Sequence, residues 1–389
     1  LRSMRSKDEI RLCEAQELAR MDWGQLEDGE YARDYLTALL ADTPTRHVHN
    51  VRTQLLGLLA GGRVMPVTVN DAEYDNSYVC SPYTHFVAYA REELDMLDSR
   101  LLKRLFTPVL AGVGLWMKRS RCNQIAIVNS WLLSTNLYHA WTAEQAGEIA
   151  RFCAKKFPRH VIAFRSVCQR LCPELYSGLK QAGCIMVPSR YVYLFHPDWP
   201  GEGTWRVRNT LSRDRKLLAK SGYRVLRHDE LAEGQAERIV ELYNALYLDK
   251  YSRLNPQFSE EFVRLAMRRR TLTLIGLEKD GRLDGILGYF VRNGVMTTPL
   301  FGYDTRLPRE TGLYRMLSSL LVQEAEREGL LLHQSAGVGA FKADRGAIGE
   351  PEYTAVYVRH LPPYRRWIWQ ALAFLLERIG IRLVEKYEL

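Results

Sequence analysis

No stretch of this chain stays apolar over the roughly 18–20 residues that a bilayer-spanning helix needs, which sets channels and other spanning proteins aside. The first residues also lack the apolar centre of a secretory signal, and "LRS" ahead of Met4 points to Met4 as the natural start. Cysteine is sparse and unpatterned. The seven residues, at 13, 80, 122, 153, 168, 172 and 184, form no Cys-x-x-Cys pair and have no histidines clustered beside them. An odd count without pairing excludes a disulfide framework and points to reduced thiols, so the expected location is cytoplasmic. Cys168 and Cys172 lie one helical turn apart, but a metal site needs two further ligands at recognisable spacing. None is present, so no metal is expected and the thiols read as buried packing groups.

What the chain does have is basic charge and ordinary globular composition. Fifty-four Lys and Arg against 45 Asp and Glu give a net charge of +9 over 389 residues. This balance favours anionic partners, whether phosphorylated cofactors, nucleic acid or an acidic membrane surface, without choosing among them. The length suggests about two or three domains.

Residues 4–45 carry apolar side chains at helical spacing. "QLLGLLA" leads into Gly61-Gly62 and then the strand-like "VMPVTVN", and "SYVCSPYTHFVAYA" continues in an aromatic, strand-like pattern. Residues 93–119 are predicted helical. "TAEQAGEIARFCAKKF" is a helix capped by Thr142 with Gln145 at capping-box spacing. "HVIAFRSV" is a strand, "CPELYSGLKQAGC" a helix stopped by Gly183, and "IMVPSRYVYLF" a strand. The Pro- and Gly-rich "HPDWPGEGTW" reads as a link between halves, with domains at 1–197 and 206–389 and a linker at 198–205. The second half runs basic helix, strand, two helices, then a strand meander whose turns "KDGR" and "RNG" sit at hairpin spacing. A glycine turn, a helix, a strand, the short "GAFKADRGA" and a last strand follow. This order is α+β. "FRSVCQRLCPELYSGLKQAGCIMVPSRYVYL" aligns in plan with "HQSAGVGAFKADRGAIGEPEYTAVYVRHL", which points to a diverged internal duplication.

The stretch "LFGYDTRLPRETGLYRMLSSLL" passes from strand to helix through a turn containing Pro308, Arg309 and Gly312. A helix N-terminus offers unpaired backbone amides and the positive end of the helix dipole, so such a turn either cradles an anion or merely turns a corner. Gly312 lets backbone approach a ligand closely.

Arg309-x-x-Gly312-x-Tyr314 resembles the phosphate-binding turn of the GNAT superfamily of acyltransferases, with Tyr314 where that family has a small residue. The paired units resemble Fem-type peptidyltransferases and related N-acyltransferases. The likeness implies two tandem GNAT-like domains, each a mixed, mainly antiparallel sheet flanked by helices, the first degenerate. It implies that Arg309, Glu310, Thr311, Gly312, Leu313 and Tyr314 hold the pyrophosphate of coenzyme A. Phe341-Lys342 resembles a Phe-Lys pair of the Fem-type enzymes, where the GNAT tyrosine is absent. "LSRDRKLLAKSGYRV" resembles the basic helix opening a second GNAT unit. Residues 206–227 hold eight Lys or Arg and one Asp.

Acyl transfer to an amine needs a base, a polarised carbonyl and a place for the leaving group. Asp304 is the first candidate base, with Tyr303 beside it, and Lys342 the group that steadies developing charge. Tyr251, Asn255, His333, Glu352 and Tyr353 are candidate contacts for the acceptor amine. The expected reaction moves an acyl group from a coenzyme A or carrier-protein thioester, a co-substrate rather than a resident cofactor, to a small amine. Two alternatives stand: an aminoacyl-tRNA donor, as in Fem-type enzymes, and a catalytically silent carrier-binding module. The tail "RRWIWQALAFLL", followed by Arg378, Arg382 and Lys386, forms a basic amphipathic helix that either lies on a membrane or packs on its own domain or on a dimer partner.

Overall fold

The computed structural model describes residues 10–96, 99–199 and 204–380. Met4, Arg382, Lys386 and much of the expected linker lie outside them. The strands are β1 (Arg11–Cys13), β2 (Gln54–Ala60), β3 (Arg63–Asn70), β4 (Ile125–Val128), β5 (Val161–Cys168), β6 (Ile185–Phe195), β7 (Arg224–Leu226), β8 (Thr273–Lys279), β9 (Arg282–Arg292), β10 (Val295–Tyr303), β11 (Leu331–His333) and β12 (Ile348–Tyr357). The helices are α1 (Ala15–Ala19), α2 (Gly29–Ala41), α3 (Pro44–His47), α4 (Tyr89–Met96), α5 (Arg100–Arg119), α6 (Ala143–Lys156), α7 (Pro173–Ala182), α8 (Trp205–Lys220), α9 (Ala236–Leu246), α10 (Glu260–Arg269), α11 (Leu313–Glu328), α12 (Gly339–Ala343) and α13 (Pro363–Leu375).

Two compact units emerge. The first holds residues up to 189 together with 254–257 and 353–377; the second holds 190–253 and 258–352. The division therefore falls inside β6 and β12 rather than at 198–205. In the first unit β1, β2, β3 and β4 are joined in three antiparallel pairs, and β4 pairs with β5 in parallel. The second unit repeats this plan: β7, β8, β9 and β10 antiparallel, then β10 parallel to β11. Beyond β11 it adds residues 194–195 of β6, antiparallel. The shared plan, with Gly183 at φ 92° and Gly346 at φ 87° in matching places, accords with the duplication read from sequence.

Local chemistry explains most elements. Asp280-Gly281 and Asn293-Gly294 adopt positive φ at both positions, the type I′ geometry that suits the right-handed twist of two strands. Thr142 accepts the Gln145 amide at 3.2 Å and Gln145 returns the bond, completing the capping box of α6.

Two local expectations differ. Residues 11–13 form an edge strand rather than helix, because Arg11, Leu12 and Cys13 find ladder partners at Leu59, Leu58 and Gly57. Residues 82–90 are helical rather than strand-like, with a π turn at Thr84–Ala88. Here Ser81 Oγ accepts the Thr84 amide at 3.0 Å and Pro82 occupies the first helical position, so cap chemistry overrides the aromatic alternation. Among the described residues there is no disulfide, and six of the seven cysteines are buried. No helix among them is long and apolar enough to cross a membrane.

Candidate functional site

In the second unit β11 pairs with only three residues of β10: Val295, Met296 and Thr297. Residues 298–303 of β10 continue without a β11 partner. The cause is in the sequence. Pro299 has no amide to donate, and the β9–β10 register shifts between Thr297 and Leu300, so β10 bulges where its parallel neighbour ends. Past the Thr297–His333 pair β10 therefore has an edge with no β11 partner. Thr298 Oγ1, at its start, is enclosed and has no hydrogen-bond partner among the described residues.

β10 then enters the turn before α11. Gly312 has φ 74°, which favours glycine, and a Cβ there would meet Leu217 Cδ2 of α8 at 2.7 Å, so that leucine side chain would also have to shift. The Thr311 and Gly312 amides close onto Pro308 and Arg309 carbonyls at 3.1 and 3.0 Å. Those two amides are spent within the protein. The next three, of Leu313, Tyr314 and Arg315, have no partner among the described residues, as expected for a first turn without a side-chain cap. Tyr314 does not block them with its ring. The side chain packs edge-on to Phe341 at 4.9 Å and to Phe301 at 5.5 Å, and burial raises its pKa. Arg309 and Glu310 are exposed.

Tyr303, the last residue of β10, is half-buried, with its ring 6.3 Å from that of Tyr314. Burial raises its pKa and the nearby Arg309 charge partly offsets this, so the phenol is neutral at pH 7 and beside the turn. Its hydroxyl has no hydrogen-bond partner among the described residues. Tyr251 is 41% exposed, its ring 6.2 Å from Tyr247, and it lies close enough to Tyr314 to raise the pKa of that phenol.

Asp304 does not fit the role of base. The buried carboxylate accepts from Arg306 Nε and Nη2 at 2.9 and 2.8 Å, from Arg238 Nη2 at 2.8 Å, and from Arg282. The Arg306 bonds lead, and with Arg238 they outweigh burial and hold its pKa far below the ordinary carboxylate range. Lys342 is likewise committed. Its ammonium, 4% exposed, donates to the carbonyls of Gln334, Ser335 and Ala336 at 2.7, 3.1 and 2.9 Å. Burial, with the Arg190 charge, pushes its pKa down to about 7, while three acceptors match the three ammonium protons. The segment it holds includes Ser335, Gly337 and Val338 at positive φ, and a β-branched residue at φ 48° is strained. Lys342 is a staple for that segment.

His333 and Glu352 do come together, but with each other. His333 Nδ1 accepts the Ser335 amide at 3.2 Å, which leaves the Nε2 proton facing Glu352 at 3.4 Å. Arg190 donates to both Glu352 oxygens, at 2.8 and 3.1 Å. Burial opposes ionisation of Glu352, yet Arg190 and His333 bring its pKa down to about 2; burial also lowers that of His333. Glu352 is held by Arg190, and the buried His333 Nε2 faces Glu352 without a formed hydrogen bond, so both groups are turned into the fold rather than to an acceptor. Asn255 and Tyr353 belong to the first unit. Asn255 is buried with its side chain bonded to Tyr89, and Tyr353 packs edge-on to Tyr176 at 5.6 Å.

Sequence reading missed the groups that fix the site. Asp214, fully buried, accepts from Arg315 at 2.8 and 2.6 Å and from Arg345 at 2.7 Å, tying α8 to α11 and to the segment after α12. The signal was available, since Asp214 is the lone acid of the basic stretch. Within that stretch Arg206, Arg215, Arg224 and Arg227 pair with acids. Arg208, Arg213, Lys216 and Lys220 are exposed, with no ion-pair partner among the described residues.

Residues 206–342 match the acetyltransferase (GNAT) domain family. No curated protein matches the chain. Among solved structures it is similar to L-PGS from Bacillus licheniformis (12% identity, 58% of this chain and 76% of that one, TM-score 0.43) and to FemX (10%, 57% and 77%, 0.43). It is similar also to a tandem GNAT protein from the clavulanic acid biosynthesis pathway (11%, 90% and 98%, 0.40). These likenesses are distant, and the assignment rests on the match at 206–342. The comparisons thus show a GNAT-like domain at residues 206–342.

Proposed function

We propose that the second unit is an N-acyltransferase that takes an acyl group from a thioester of coenzyme A or of a carrier protein and gives it to an amine. The observation that carries this reading is the pairing of three unpartnered amides, at Leu313, Tyr314 and Arg315, with the unpartnered phenol of Tyr303 beside them. The amides suit the donor's phosphates. The unpaired edge of β10 past Thr297 suits the acyl carbonyl. The amine nitrogen attacks that carbonyl, the carbon–sulfur bond breaks, and the departing thiolate takes the Tyr303 proton. The phenolate then recovers a proton from the ammonium product.

Coenzyme A binding by calorimetry, and thiol release from acetyl coenzyme A with a panel of amines, test the reading. Tyr303→Phe is expected to lower kcat by about a hundredfold with donor binding unchanged, within the range for losing one proton donor. A variant with undiminished kcat removes Tyr303 from the mechanism; failure to bind either thioester removes the donor.

A second reading, an aminoacyl-tRNA donor, is favoured by the four exposed, unpaired cations of α8 and by the net charge of +9. Tight tRNA binding that falls steeply with salt, without coenzyme A binding, selects it.

A further inference from the structure

We propose that the first unit docks on an anionic lipid surface through the outward faces of α5 and α13. The two helices share one core. Val113 and Met117 of α5 pack in the same cluster as Ile368, Trp369 and Leu372 of α13. Arg365, at the start of α13, donates to the Ser120 and Arg121 carbonyls just past α5, each at 3.0 Å. The inner faces are thus accounted for by packing.

The outer faces carry exposed apolar side chains. Along α5, Leu101, Leu105 and Val109 recur at four-residue spacing, 68%, 57% and 45% exposed, and Trp116 continues the row at 40%. On α13, Trp367 and Phe374 are 60% and 59% exposed, seven residues apart and so on one side of the helix. Single exposed leucines are ordinary on a protein surface. Rows of them on two helices of one unit are not. The charge on these helices has one sign. α5 carries Arg100, Lys103, Arg104, Lys118 and Arg119, and neither helix contains an Asp or Glu.

Apolar side chains with Trp among them, on two helices whose own charged residues are all cations, match the layered chemistry of a phospholipid interface, acyl chains inside and phosphates outside; the nearest acids are Glu377 just past α13 and Glu92 and Glu93 on the neighbouring α4. A second copy of the chain fits less well, because a two-fold contact sets these two cation-bearing, acid-free helices against their own copies. The proposal stands apart from the acyl chemistry of the second unit.

The test is flotation of the full chain with vesicles of phosphatidylcholine alone and of phosphatidylcholine with phosphatidylglycerol, reading Trp emission alongside. The expected result is binding to the anionic vesicles, weaker in high salt, with a blue shift from Trp116 and Trp367. Leu101→Ser/Leu105→Ser and, separately, Trp367→Ser are expected to weaken partitioning by about tenfold or more. Circular dichroism and melting temperature confirm that these surface variants fold. Absence of flotation with anionic vesicles overturns the proposal, as does unchanged partitioning in folded variants. A dimer in sedimentation equilibrium that dissociates in the same variants also overturns it, since the face then belongs to a second copy.

Discussion

Asp304 Oδ2 lies 2.8 Å from Nη2 of Arg238, a residue 66 positions earlier on α9. Arg306 and Arg282 close on the same carboxylate. This carboxylate ends β10 by binding it to α9 and to the start of β9, at the place where a base had been expected.

Asp304→Asn is therefore expected to weaken the fold rather than the chemistry. A depressed pKa in the folded state contributes stability that is present above the unfolded value of about 3.9 and is lost as pH falls below it. The variant should lose about 2 kcal/mol at neutral pH, the scale of a hydrogen bond to a charged group, and part of its acid sensitivity. Well below its melting temperature, kcat should stay within about threefold. A hundredfold loss in a folded variant would return Asp304 to the chemistry.

Lys342→Met should strand three carbonyls, those of Gln334, Ser335 and Ala336. The expected cost is about 2–3 kcal/mol, with faster amide exchange in residues 334–338 before the rest of the unit opens. Unchanged exchange there would show that the segment holds itself.

The His333–Glu352 pair predicts how the second unit responds to acid. Burial lowers the folded pKa of His333, so the unfolded chain takes that proton first. The contribution of His333 is intact above about pH 6.5 and declines as pH falls below it. Glu352, brought down to about 2, contributes above its unfolded pKa of about 4.3 and loses that contribution as pH falls toward 2. Urea midpoints across this range should fall less steeply between about pH 6.5 and 5 in His333→Gln than in the parent. Identical slopes would remove His333 as the cause.

Gly312→Ala meets two obstacles, φ 74° and Leu217 Cδ2 at 2.7 Å. Together they should cost about 1–3 kcal/mol. Adding Leu217→Ala removes the steric obstacle and leaves the conformational one, so it should recover only part of the shape-dependent loss in donor affinity. Full recovery of coenzyme A binding would show that backbone conformation at residue 312 does not matter.

Much of the fold was legible because its signals are short-range. Asn293-Gly294 and Asp280-Gly281 announce hairpins through the φ that glycine and its partner adopt. Thr142 and Gln145 announce the start of α6, and Gly183 the end of α7. The turn at Arg309–Gly312 was legible as a place with spare amides, though not which amides are spare. Residues 11–13 escaped because an edge strand is defined by its neighbour, and residues 82–90 because the Ser81-Pro82 cap was outweighed by an aromatic pattern.

The sequence by itself determined the order of strands and helices, the turn glycines, the unpaired first turn of α11 and the excess of positive charge. All depend on interactions within a few residues or on composition. Only the tertiary structure decided which ionisable groups are available. Asp304, Lys342, His333 and Glu352 are each met by partners far away in the chain or by carbonyls of a folded segment, whereas the hydroxyl of Tyr303 is not. A charged group in low dielectric is governed by what surrounds it, and those surroundings exist only once distant segments have packed.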